Sequence, residues 1–100
     1  RDFLLIMKTY SGKGPQDVKV LLFENQVEII AIDAATVMEK TVSANRRNLS
    51  TAEQFRRLFY EEISGKLEES VELATGYPVK VTSIQANESK KTDKIVLTIV

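Results

Sequence analysis

Four arginines, Arg46, Arg47, Arg56 and Arg57, fall close together around a stretch that reads as the start of a long helix. A helix N-terminus already carries about half a positive charge, so cations gathered there are costly unless something negative sits beside them. They form the candidate site for an anion or an acidic partner. The plain alternative is neutralisation by the protein's own acids, because Glu53 lies three residues before Arg56 and Glu61 four after Arg57, both within helical reach.

Other constellations carry less. Ser11-Gly12-Lys13-Gly14-Pro15 has the glycine amides and lysine of an anion cradle. A phosphate loop, however, runs from strand to helix, and here the order is helix then strand, so a simple turn accounts for it. Glu61, Glu62, Glu68, Glu69 and Glu72 alternate with apolar residues and read as a solvated helix face rather than a convergent acid–base pair. The chain has no histidine and no cysteine. That removes the commonest general base, the commonest transition-metal ligand and the usual zinc sites. Serines lack a base to activate them. No catalytic residue, metal ligand or cofactor site is expected, and the chain is read as not an enzyme. Asn48-Leu49-Ser50 and Asn87-Glu88-Ser89 match the glycosylation pattern, which matters only in a secreted eukaryotic protein.

The elements that must position these residues belong to one domain of 100 residues, complete or as a piece of a longer chain. Fourteen basic and fourteen acidic residues cancel, which argues against nucleic acid or a membrane surface as partner. No apolar run approaches the roughly 20 residues needed to insert into a bilayer. A cytoplasmic setting fits the missing thiols.

Phe3, Ile6, Met7 and Tyr10 recur at helical spacing, although the run Phe3–Met7 also suits a strand. After the glycine turn, Val18–Phe23 and Val27–Ile32 predict a β-hairpin across Glu24-Asn25-Gln26. Thr36–Ser43 predicts a short helix. Ser50 with Glu53 reads as a capping box opening a long helix whose stripe is Phe55, Phe59, Ile63, Leu67 and Val71. Ser64-Gly65 is a soft point within it, and Thr75-Gly76-Tyr77-Pro78 ends it. Val79–Ile84 and Lys94–Val100 predict a second hairpin across a polar loop, Gln85–Asp93, long enough to be mobile. The fold class is α+β: two αββ halves forming a four-stranded, mostly antiparallel sheet with helices on one face.

Gly12-Lys13-Gly14-Pro15 with Val18-Lys19-Val20 and the apolar hairpin resembles the MpsC family of small prokaryotic proteins. The likeness continues through Met38-Glu39-Lys40, Thr75-Gly76, Val79–Ile84 and Ser89-Lys90-Lys91-Thr92, while Thr41–Leu49 and Gln85–Glu88 depart from the family's pattern. The resemblance implies a link to a bacterial system that generates membrane potential and supplies inorganic carbon, with a membrane-associated protein as partner. It supplies no catalytic residues.

The expected function is therefore that of an accessory or regulatory protein acting through protein–protein binding. A small anion- or ligand-binding module built on the arginines is the alternative. A homodimer is expected from the first hairpin. Val18, Val20 and Leu22 face one way while Leu21 and Phe23 face the other, and Ile30 and Ile32 oppose Val27, Ile29 and Ala31. Two apolar faces on one sheet exceed what moderate helices cover, which makes Leu21, Phe23, Ile30 and Ile32 the candidate dimer face. The competing expectation is that the Thr36–Ser43 helix folds over that face.

Overall fold

Two runs rich in β-branched residues fold back on each other as β1 (Asp17–Leu22) and β2 (Gln26–Ile32), antiparallel, with Val20 opposite Ile29. The Phe23 N–H donates to the Gln26 carbonyl at 2.9 Å and closes the turn. The structure, a computed structural model, describes residues 14–100. The segment Phe3–Tyr10 and the turn at Ser11-Gly12 lie outside the described residues, so the first of the two expected halves is described only from its hairpin onward.

A short helix, α1 (Val37–Ser43), follows. It opens on a capping box in which Thr36 Oγ1 accepts from the Glu39 N–H while the Glu39 carboxylate accepts from the Thr36 N–H. A 3-10 turn, Arg46–Asn48, leads into α2 (Leu49–Glu62). The cap expected at Ser50 is therefore displaced. Ser50 is already inside α2, whose N-cap Asn48 makes no side-chain cap bond, because the 3-10 turn starts the coiling earlier. The long helix breaks at Ile63, and α3 (Ser64–Thr75) continues from there, beside the soft Ser64-Gly65 pair. Gly76 ends α3 in the left-handed conformation at φ 79°, its N–H on the Glu72 carbonyl.

The second hairpin is longer than its sequence suggests. β3 (Val79–Asn87) and β4 (Thr92–Ile99) run antiparallel almost to their junction. The polar residues expected to form a mobile loop are mostly strand, and only Glu88–Lys91 turns, with Lys91 at φ 53°. Strand order is β1-β2-β4-β3, all pairs antiparallel, with a bulge in β3 between Val81 and Ser83.

The core lies on one face of this sheet. Ile29 and Ala31 of β2, Ile95 and Leu97 of β4 and Val79 of β3 meet Tyr60, Ile63 and Leu67 from the helices. The inward stripe runs Ala52, Arg56, Tyr60, Ile63, Leu67. The expected ladder holds at Ile63 and Leu67, but its N-terminal end is rotated away. Phe55 is 58% exposed and Phe59 only half-buried, because Arg56 and Tyr60 take the inward positions instead.

Candidate functional site

Arg56 is the described arginine that the fold places inside. Its neighbours one turn away, Ala52 and Tyr60, are buried on the same side of α2, so the guanidinium enters the seam between α2, α1 and the end of the β3–β4 hairpin. Arg56 Nη1 donates to Glu39 Oε2 at 3.1 Å and to Glu88 Oε2 at 2.7 Å. Its Nε lies 2.8 Å from Asp93 Oδ2, an ion pair in which the N–H is not aligned for a hydrogen bond. Tyr60 Oη donates to the same Asp93 oxygen at 2.5 Å. Glu53, half-buried one turn before Arg56 on α2, accepts the Glu88 N–H at 2.8 Å. One side chain thus ties a helix, a turn and a strand that are distant in sequence.

The electrostatics are lopsided, since a single guanidinium faces the carboxylates of Glu39, Glu88 and Asp93. Burial pulls the Arg56 pKa down, but the Asp93 charge and the bond and charge of Glu88 outweigh it, and the net push is upward. The guanidinium stays charged. Burial, then the Asp93 charge, raises Tyr60, so its phenol remains a donor. Asp93 itself is only 2% exposed. Burial raises its carboxyl pKa more than the Tyr60 bond and Arg56 lower it, and its Oδ1 has no hydrogen-bond partner among the described residues. The cluster is suited to holding charge and a proton in place. Among the described residues no group of three or more acidic side chains is arranged to hold a metal ion.

Of the four sequence-flagged arginines, Arg47, Arg56 and Arg57 do not converge. Arg46 sits in the 3-10 turn and Arg47 is exposed beside it, while Arg57 is exposed and lines a cleft of about 420 Å3 between α2, α3 and β3, together with Glu61, Ser64 and Glu68. Arg56 points away from it into the carboxylates. The hairpin residues are placed as follows. Leu21, Ile30 and Ile32 lie on the sheet face away from the helices, and Phe23 is in the turn. Leu21 and Phe23 are exposed, whereas Ile30 and Ile32 are half-buried. The centre of that face is charged, with Lys94 Nζ 3.2 Å from Glu28 Oε1. α1 does not cover this face; it packs on α2, where Glu39 meets Arg56.

Two features escaped the sequence. The Arg56 cluster left a signal: Thr36-x-x-Glu39 is a capping box, and Asp93 stands in alternation with Ile95 and Leu97 at a core-facing position. The second is an apolar groove of about 370 Å3 between α1 and α2, lined by Met38, Val42, Ala52, Phe55 and Phe59 with Glu39 at its base.

A four-stranded antiparallel sheet under three described helices, tied by one buried arginine, defines a small α+β domain. Its family is the one described as "Na+-translocating membrane potential-generating system (MpsC)", whose sequence model matches residues 3–100, and the chain belongs to it. No curated protein and no solved structure gives a significant match. No helix among the described residues is long and apolar enough to cross a membrane.

Proposed function

We propose that this MpsC-family domain is a non-enzymatic, cytoplasmic accessory protein that works by binding another protein, a membrane-associated component of the Na+-translocating system, and that it does so as a homodimer. The observation that carries the reading is the α1–α2 groove. The core closes without Met38, Val42 and Phe55, yet Met38 is 76% and Phe55 58% exposed around one apolar trough. Apolar side chains gathered in this way mark an interface. Pairs at i, i+4 on each wall, Met38 with Val42 and Phe55 with Phe59, suit the apolar stripe of a partner helix. The homodimer reading rests on the first hairpin, where Leu21 and Phe23 are exposed beside Ile30 and Ile32.

The anion-binding alternative has less support, because Arg56 is already engaged by three carboxylates. The test is crosslinking capture in the source cell with the wild type and with Phe55→Glu. A membrane protein held by the wild type and lost by a Phe55→Glu variant of unchanged melting temperature supports the reading. The same partners on both baits refute it.

A further inference from the structure

The two edges of the sheet are treated differently. At the β3 edge, the N–H of Val79 donates to Glu72 Oε2 at 3.0 Å and that of Val81 to Glu68 Oε2 at 2.9 Å, so carboxylates from α3 occupy the amides that would otherwise face a new strand. The bulge between Val81 and Ser83 disrupts the same edge further. The β1 edge has neither device at its centre. The Phe23 N–H on the Gln26 carbonyl sets the alternation of the β1–β2 ladder. That alternation turns the backbone groups of Val18, Val20 and Leu22 away from β2. Asp17 Oδ1 takes the Val18 N–H at 2.9 Å. The N–H and C=O of Val20 and Leu22 have no partner among the described residues. Their side chains are also uncovered, Val20 54% and Leu22 71% exposed on the helix-bearing face, because α2 and α3 pack over β3 at the far side of the sheet.

We infer that the β1 edge pairs with β1 of a second copy of this chain, joining two four-stranded sheets into one continuous antiparallel sheet about a two-fold axis through Val20. This rests on the homodimer reading above and replaces its face-to-face geometry with an edge-to-edge one. The edge is self-complementary. With Val20 opposite Val20, Val18 meets Leu22 of the second copy on the helix-bearing face, and Lys19 meets its Leu21 on the other. The register of comparable overlap, one residue away, would set Lys19 against Lys19, and like charges directly opposite are destabilising. In the Val20 register the N–H and C=O of Val20 and the N–H of Leu22 find partners, the Leu22 C=O faces a Val18 N–H that the exposed Asp17 side chain must release, and the exposed Val20 and Leu22 side chains face apolar neighbours.

The experiment is light scattering and sedimentation across micromolar concentrations on the wild type, Val20→Pro and Ile30→Lys, with amide hydrogen exchange on the wild type. Proline at Val20 removes an outward N–H and leaves the β1–β2 bonds intact, so it is compatible with an edge strand. The expected result is a wild-type dimer whose dissociation constant rises at least tenfold in Val20→Pro and little in Ile30→Lys. The Val20 and Leu22 amides should exchange slowly at high concentration and fast on dilution, a readout that stands even if Val20→Pro fails to fold. A dimer lost in Ile30→Lys and kept in Val20→Pro, or fast exchange at Val20 and Leu22 in a dimeric sample, overturns the edge pairing and leaves the homodimer reading in place. A wild type monomeric throughout overturns both.

Discussion

Arg56→Met keeps a long unbranched side chain in α2 and removes the cation that Glu39, Glu88 and Asp93 share. The wild-type guanidinium stands 3.1 Å from Glu39, 2.7 Å from Glu88 and 2.8 Å from Asp93, with all three carboxylates almost wholly out of water. Removing one partner of a buried ion pair costs about 3–5 kcal/mol, mainly as uncompensated buried charge. Here three carboxylates lose their counter-ion at once, so the upper part of that range is expected. Set against a total of about 5–15 kcal/mol for a domain, the loss is a large fraction of what holds the protein together. The assay is urea unfolding, which adds no salt to screen the cluster, at about pH 8 and again at about pH 5, because the Asp93 carboxyl, already raised by burial, loses in the variant the charge of Arg56 that lowers it. The penalty should be largest at the higher pH and shrink at the lower one, since a protonated Asp93 no longer needs Arg56. A loss below about 1 kcal/mol at the higher pH, within the range of ordinary surface substitutions or close to it, would refute the reasoning. So would a penalty identical at both pH values.

Asp93 gives a second pH test. Its folded pKa is raised above the unfolded value by burial, so the folded state binds the proton more tightly. The stability this lends is present below the unfolded carboxylate range and is lost as pH rises through the folded value. Asp93→Asn should therefore flatten the decline in urea midpoint seen in the wild type between acid and neutral pH, and parallel curves would count against it. Leu67→Ala, at a position 1% exposed, should cost about 2–5 kcal/mol and more than Phe59→Ala at the half-buried groove edge, with thermal melting as the measure. Gly76→Ala should cost about 1–2 kcal/mol from the left-handed backbone alone, as an added Cβ meets no atom within 4 Å. Inorganic phosphate should leave the melting temperature of the wild type unchanged. A rise that fades with added salt would instead favour the anion reading of Arg46, Arg47 and Arg57.

Much of the architecture is local and could be read directly. The β-branched runs at Val18–Phe23, Val27–Ile32 and Val79–Ile84 specify strands because branched side chains suit a pleated, half-covered surface. Gly76 specifies the end of a helix because only glycine takes a left-handed φ without cost. Where the signal weakens, tertiary structure decided. The polar stretch Gln85–Asp93 carries little intrinsic strand preference, but pairing with β4 and the grip of Arg56 on Glu88 and Asp93 extend the hairpin through it. Which face of α2 turns inward was equally hidden. Phe55 and Phe59 satisfy the apolar periodicity, yet Arg56 and Tyr60 lie inside, because a charge can be buried only where partners from α1, β4 and the β3–β4 turn converge on it. Strand order belongs to the same class: the chain determines that four strands exist, while burial of Ile29 and Ile95 side by side places β2 against β4 and leaves β1 at the edge. Residues near in sequence settle their own backbone; residues far apart settle which surfaces meet, and so which remain open to a partner.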